Sequence, residues 1–303
     1  MSARSDIVTQ AVATELILTE KITEMLEGNY PVRVADVIAN VYDINEGEAA
    51  TLQVPLAPVT TITSGSTITE GEDTMTLTAY DPTSDTISVS MKGIWRGLTE
   101  QALFHATQDL KGSALEDSVL AILDQRDRLL LAEALNATNT ADFSGQAFNL
   151  DNFGSAIATF KALNPRPGSN GFAIVLQTDQ MKDLLEDIRS TTGVAFAGAA
   201  FEMNDMFSGM AGYHGVLEGY NVFESPSVIA TDANNWSGFI CGAGDRGSLG
   251  LAISRIGGSD LIVRMSEPGS SAHTKLQHEI FVGSEYGVGI LQDNNFLEVV
   301  SKT

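Results

Sequence analysis

The run that follows Ala50, TLQVPLAPVTTITSGSTITEGEDTMTLTAYDPTSDTISVSM, ending at Met91, restricts this chain more than any other feature. Thr, Val, Ile and Leu recur at strand-like spacing, and Gly65, Gly71 and Pro82 fall where turns are needed. A two-stranded excursion cannot bury both of its faces and is marginal by itself in water. It should lie on something else, most simply a neighbouring copy of the same protein. A building block is the expectation, rather than a catalyst.

The totals agree with a folded chain. At 303 residues, with 43% hydrophobic and 18% charged residues, there is material for a sizeable core. Seventeen basic against 39 acidic residues give a net charge of −22, a surface that repels nucleic acid at moderate salt. No sequence-specific nucleic-acid binding is expected. Apolar runs fall short of the roughly 20 residues that span a bilayer, and no uninterrupted apolar stretch follows Arg4. A soluble protein made in a reducing cytoplasm is the expectation, with no membrane partner. The single cysteine, Cys241, lies in the apolar run Phe239-Ile240-Cys241 and reads as a small buried hydrophobe.

Along the chain, residues 5–27 carry an imperfect helical stripe (Ile7, Val8, Ala11, Val12, Leu18, Ile22, Met25), stopped at Gly28-Asn29-Tyr30-Pro31. Between Val34 and Met91 there are nine acidic residues and neither Lys nor Arg. A short helix is expected from Thr99 to Gln108. A long one follows from Ser113 to about Ala137, with Ser113 and Glu116 as a capping box and Leu115, Val119, Ile122, Leu123, Leu130 and Ala134 as its stripe. Asp151 is expected to cap a third helix bearing Phe153, Ile157 and Phe160. Phe172 to Leu176 reads as a buried strand, and Thr178 as the cap of a helix with Met181, Leu184, Leu185 and Ile188 inward. From Thr191 to Gly215 a Gly/Ala/Met/Phe-rich loop reads as an interaction surface. Strands are then expected at Tyr220–Phe223, Gly238–Cys241, Ser248–Ser254, Leu261–Met265, Lys275–Gly283 and Phe296–Val300. The fold class is α+β.

The chemistry-bearing patterns are weak. Gly242-Ala243-Gly244-Asp245-Arg246-Gly247 matches a dinucleotide fingerprint, which requires a helix to open there. Ser248 to Ile253 alternates like a strand instead, so a glycine-rich hairpin turn is expected. Of four histidines, His105 and His214 are isolated, and His273 and His278 lack helical ligand spacing. Glu70 and Glu72 sit in a polar segment with no apolar pocket to raise a carboxyl pKa. No catalytic residue, cofactor or metal site is expected.

The order of parts resembles the tailed-bacteriophage major capsid proteins of the Hong Kong 97-type capsid fold. The most specific local piece is Gly215-Val216-Leu217-Glu218-Gly219-Tyr220-Asn221-Val222-Phe223-Glu224-Ser225-Pro226, similar to the family's G-x-L-x-G-Y-x-V-x-x-S segment. Phe172 to Leu185 and the closing Glu285-Tyr286-Gly287-Val288-Gly289 are also similar to family segments. The resemblance implies an N-terminal arm at 1–49, an extended E-loop at 50–95 and a peripheral domain with its spine helix at 96–149. It further implies an axial α/β domain at 150–255 and a return to the peripheral domain at 256–303.

On that resemblance the function is a coat protein forming hexamers and pentamers in an icosahedral shell around double-stranded DNA. The chain would be made in the host cytoplasm and end in the virion. An encapsulin-like compartment is the rival reading, and a soluble α/β enzyme with Gly242 in a ligand loop a more distant one. Scaffolding, portal and decoration proteins are the implied further partners. Inter-subunit contacts are expected at Ser64, Gly65, Glu70, Glu72 and Asp73 on the E-loop and at Arg96, Arg126 and Arg128 on the spine. Met203, Met206, Phe207 and Met210 should line the capsomer axis. Some members crosslink through an E-loop lysine. This chain has none between Ile22 and Met91, with Lys92 only at the loop's base, so no covalent chain-mail is expected. It also lacks a long charged N-terminal extension, which points to a separate scaffold or to scaffold-independent assembly.

Overall fold

The computed structural model describes residues 33–45, 51–56, 83–99, 101–102, 110–192, 201, 207, 210, 212–228, 230–255, 260–266 and 277–302. The expected N-terminal arm up to residue 32 and the expected E-loop between 57 and 82, with Ser64, Gly65, Glu70, Glu72 and Asp73, lie outside these. Met203, Met206, His105 and His273 do as well.

In chain order the first elements are α1 (Val34–Ile38), β1 (Asn40–Asn45), β2 (Thr51–Leu56), β3 (Thr83–Ser88), β4 (Ser90–Thr99) and α2 (Leu110–Ala132). A 3-10 turn at Glu133–Asn136 extends α2 and leads to β5 (Thr140–Phe143), α3 (Leu150–Ala162), β6 (Phe172–Leu176) and α4 (Thr178–Thr192). Then come β7 (Tyr213–Leu217), β8 (Tyr220–Glu224), β9 (Ala230–Asp232), β10 (Asn235–Gly242), β11 (Leu249–Arg255), β12 (Ile262–Ser266), β13 (Gln277–Ile290) and β14 (Phe296–Lys302).

The strands form two main sheets and a separate ladder. In the first sheet, β13 has β4 along one side, while β11 and β12 share the other side. Parallel β1 adds to β11. The second sheet runs β5-β14-β10-β6-β8-β7, with β9 beside β10. The ladder is β2 with β3. These α+β sheets share a core. Leu130 and Leu131 of α2 meet Val175, Phe239 and Phe296 of the second sheet and Leu251, Ile253 and Tyr286 of the first. A second cluster packs α3 and α4 on the far face of the second sheet, and a third packs α2 on the first sheet.

Sheet membership alternates along the chain more often than the sequence reading expects. Residues 140–143 lie in the second sheet, 249–255 in the first, and 296–302 in the second again. The spans 96–149, 150–255 and 256–303 therefore do not each keep to one sheet. Non-local pairing decides this, and local periodicity carries no trace of it.

Local details also differ. Residues through Thr99 are strand, so the expected Thr99–Gln108 helix keeps only Gln101 and Ala102 among the described residues. Ser113 lies inside α2, which begins at Leu110, and is not its cap. The α3 cap is Asn149, whose side-chain oxygen accepts the Asn152 amide at 2.9 Å, and Asp151 sits in the first turn. At α4, Gln177 takes the role expected of Thr178. Its side chain accepts the Asp179 amide, while Gln180 Oε1 accepts the Gln177 amide at 3.1 Å, a reciprocal cap built from glutamines.

The glycine-rich segment after β10 is not a hairpin turn, because β10 and β11 pair in different sheets. It carries the chain between sheets and is pinned by backbone bonds. Asn170 donates to the Ala243 carbonyl at 3.0 Å, Ser169 to Asp245 at 2.9 Å, and Gly244 to Ile38 at 3.1 Å. A Cβ on Gly168 would fall 2.0 Å from the Ala243 carbonyl oxygen, so this close approach needs glycine. Strand follows it rather than helix, and the dinucleotide geometry is absent from this segment.

Candidate assembly surface

The arm has a root. β2 and β3 pair from Thr51–Ser88 outward to Leu56–Thr83. Ile87, 2% exposed, packs with Val54 and Val89 onto Ile44, Ala252 and Leu291 of its own subunit. Glycines make the seat. A Cβ on Gly250 would meet Ile87 Cδ1 at 2.6 Å, and one on Gly287 would meet the Ser88 carbonyl oxygen at 2.2 Å. Burying the Ile87 side chain stabilises the root by about 1.5–3 kcal/mol. The expectation of an arm with almost no core thus needs amending at its base, where the first sheet supplies one.

β3 passes into β4 with only Val89 between them. β4 alternates half-buried and exposed side chains from Met91 to Thr99, the pattern of a strand covered on one face. Ile94 and Leu98 turn toward α2 and join Leu115, Val119, Ile122, Ile280 and Val282. Trp95 points the other way, 66% exposed, with its ring centroid 5.1 Å from that of Phe281.

The three arginines expected on the spine do not form one basic face. Arg96 lies on the α2 side of β4, ion-paired to Asp117, and its Nε–H donates to Ser118 Oγ at 3.3 Å. Arg126 reaches Asp36 of α1 at 3.0 Å. Arg128 is exposed, about 16 Å along the helix from Asp117 at ~1.5 Å per residue. A box of contacts around Arg126 fastens α1 to α2. Arg33 pairs with Asp124, and buried Asp127 accepts the Ala35 amide at 3.0 Å, doing for α1 what a side-chain cap would do. Burial holds the Asp127 carboxyl above its usual range, opposed by the Ala35 hydrogen bond and by Arg33.

In the expected axial loop, Phe207 is buried at 5% exposure against Tyr213 and Phe223, and Met210 is half-buried against the same core. The described part of this loop is therefore an anchor. Elsewhere chemistry is sparse. Cys241 is fully buried and its thiol is pushed up by desolvation, as expected of a core residue. His214 is held by Glu224 at 2.6 Å. Among the described residues no three His, Cys, Asp or Glu side chains are grouped to hold a metal, and no helix is long and apolar enough to cross a membrane.

Two sheets with a shared core, a two-stranded ladder seated on the first, a long helix laid across it and an α/β half make up this α+β fold. It is the Hong Kong 97-type capsid fold, and phage capsid structures match it across most of the chain. The capsid chain of Helicobacter pylori bacteriophage KHP30 aligns with a TM-score of 0.60 and 14% identity, covering 87% of each chain. That of cyanophage Pam1 gives 0.59 and 14% over 88% of each. For cyanophage P-SCSP1u the TM-score is 0.57 and the identity 13%, over 91% of this chain and 90% of the other. No family model and no curated protein matches the sequence. The likeness lives in the fold, with little of it left in the residues.

Proposed function

We propose that this chain is a phage major capsid protein, which assembles through hexamers and pentamers into the icosahedral shell around a double-stranded DNA genome. The observation that supports this reading most strongly is the correspondence of fold over 83–91% of the chain with subunits from phage capsids. In this reading the first sheet with α2 is the peripheral domain, and the second sheet with α3 and α4 the axial one. The β2–β3 ladder is the base of the E-loop. The role is structural, without catalysis. The protein is made in the host cytoplasm and delivered to the virion, with scaffolding, portal and decoration proteins as partners.

The charge supports a container. At −22 the subunit resists adhesion to DNA, so that packing pressure is borne by contacts between subunits. Negative-stain electron microscopy of the expressed chain, alone and with candidate scaffolding proteins, tests the proposal. Closed shells are the expected result. A chain that stays monomeric, or forms only small discrete oligomers, under both conditions would overturn it.

A further inference from the structure

We propose that Asn170 is a self-modification site, where the side chain closes onto the Gly171 amide nitrogen, releases ammonia and is opened by water to aspartate or isoaspartate. The reaction is gated by the joint between the two sheets. It proceeds when that joint opens, and its product keeps the joint from closing fully. The inference stands apart from the shell-forming reading.

Asn170 is the only asparagine of this chain that precedes a glycine. Ring closure needs the amide nitrogen of the following residue to reach the asparagine Cγ, and glycine, which has no Cβ, obstructs that approach least. The Gly171 nitrogen gives its proton to hydroxide and forms a bond to Cγ. The Cγ–Nδ2 bond breaks, and the departing nitrogen takes a proton from water and leaves as ammonia. A water molecule then cleaves the cyclic imide at either of its carbonyls. One cleavage gives an ordinary aspartate. The other gives isoaspartate, whose backbone runs through Cβ and Cγ and is one carbon atom longer. Nothing is oxidised or reduced, and each conversion exchanges a neutral amide for a carboxylate.

In the folded chain both reacting groups are tied elsewhere. Asn170 Nδ2–H donates to the Val37 carbonyl at 2.8 Å, and the Gly171 N–H donates to the Gly168 carbonyl at 3.1 Å. Ring closure breaks both bonds. The Asn170 amide also lies against the glycine-rich segment after β10, where a Cβ on Gly244 would fall 2.9 Å from Asn170 Cγ. The Asn170 N–H donates to Ala243 at 3.0 Å, and the Ala243 N–H donates back to Gly171 at 2.9 Å. From β8, the Asn221 side chain donates to the Asn170 carbonyl at 3.1 Å. One residue thus ties the end of α1, the entry to β6 and the passage between the sheets. Opening it costs free energy, and the folded chain reacts in proportion to its open fraction. After conversion the Val37 carbonyl has lost its donor and a carboxylate stands in its place. The isoaspartate form also lengthens the backbone between the two bonds to Ala243, so that their register is lost.

The test holds the full chain at mildly alkaline pH, folded in buffer and unfolded in urea, and follows position 170 by peptide mass spectrometry with fragmentation that separates aspartate from isoaspartate. In urea Asn170 should convert ahead of every other asparagine, and in the folded chain it should convert at least ~tenfold more slowly. Equal rates would overturn the gate, and faster conversion at another asparagine in urea would overturn the site. Ser169→Ala removes an exposed hydroxyl that accepts the Asp245 amide at 2.8 Å, loosening the joint. It should speed conversion in the folded chain and leave the rate in urea unchanged; an unchanged folded rate counts against the gate. Asn170→Asp supplies one product directly. Hydrogen exchange at the Ala243 and Gly244 amides should then be faster than in the wild type, and wild-type exchange there would show that conversion does not hold the joint open.

Discussion

The two sheets of this molecule are finished to different degrees. In the second, β6, β10 and β14 are buried almost throughout, with α3 and α4 on one face and the shared core on the other. In the first, α2 covers one face of β4, and the other presents Trp95 to solvent. The second sheet is therefore complete within one chain. The first leaves the Trp95 face of β4 uncovered. Substitutions in the two sheets should therefore differ in what they cost the fold.

Phe239→Ala cuts into the doubly covered sheet where Phe239 stacks on Phe296 at 5.1 Å. It should cost about 3–5 kcal/mol of unfolding free energy in urea titration, and a loss below about 1 kcal/mol would erase the contrast. Ile87→Ala attacks the arm's root in the first sheet. A loss of about 2–4 kcal/mol is expected, with earlier proteolytic cleavage between residues 57 and 82 as the local readout. Gly93→Ala crowds the Phe281 ring and should cost about 1–3 kcal/mol, less if the ring swings aside.

The α1–α2 box offers a smaller, pH-dependent test. Asp127→Ala removes the acceptor for the Ala35 amide and should cost about 1 kcal/mol. Asp127→Asn keeps an acceptor oxygen and removes the buried charge. Because burial raises this carboxyl's pKa in the folded state, its contribution favours folding fully below the unfolded value near ~4. That contribution is lost as pH rises through the folded value. Asp127→Asn should accordingly gain on the wild type between pH 4 and pH 7 in chemical denaturation. A gain of the opposite sign would show that Arg33 and the Ala35 amide outweigh burial. The smallest effect expected is none at all. Mature particles should run as a single 32.2 kDa band on denaturing gels, with no ladder, since Lys92 lies over the Tyr286 ring at 4.7 Å and the arm itself has no lysine.

Much of this was readable in the sequence. The α2 stripe, the buried strand at Phe172–Leu176, the inward face of α4 and the strands from Tyr220 onward fall where periodicity puts them, because burial on one face imposes its period on the residues. The caps of α3 and α4 lie one or two positions before those expected, with Asn149 and Gln177 serving in place of Asp151 and Thr178. Short polar side chains crowd both junctions, and only the final backbone selects among them. β1, β5, β7 and β9 are short strands whose own residues carry little alternation to announce them. The exposure of Trp95 has no signal in the sequence, because one aromatic in an alternating strand reads equally well as core or surface.

The sequence by itself determined the longer helices and the apolar strands, the acid balance, the lysine-free stretch before Lys92 and a glycine-rich segment unfit to cradle a nucleotide. Tertiary structure alone decided which sheet each strand joins and which face stays open. β11, for example, pairs with β1 and β13 rather than with β10, its neighbour in the chain. The physical reason is that periodicity is written residue by residue, whereas sheet membership and exposure are settled by what distant segments bury together.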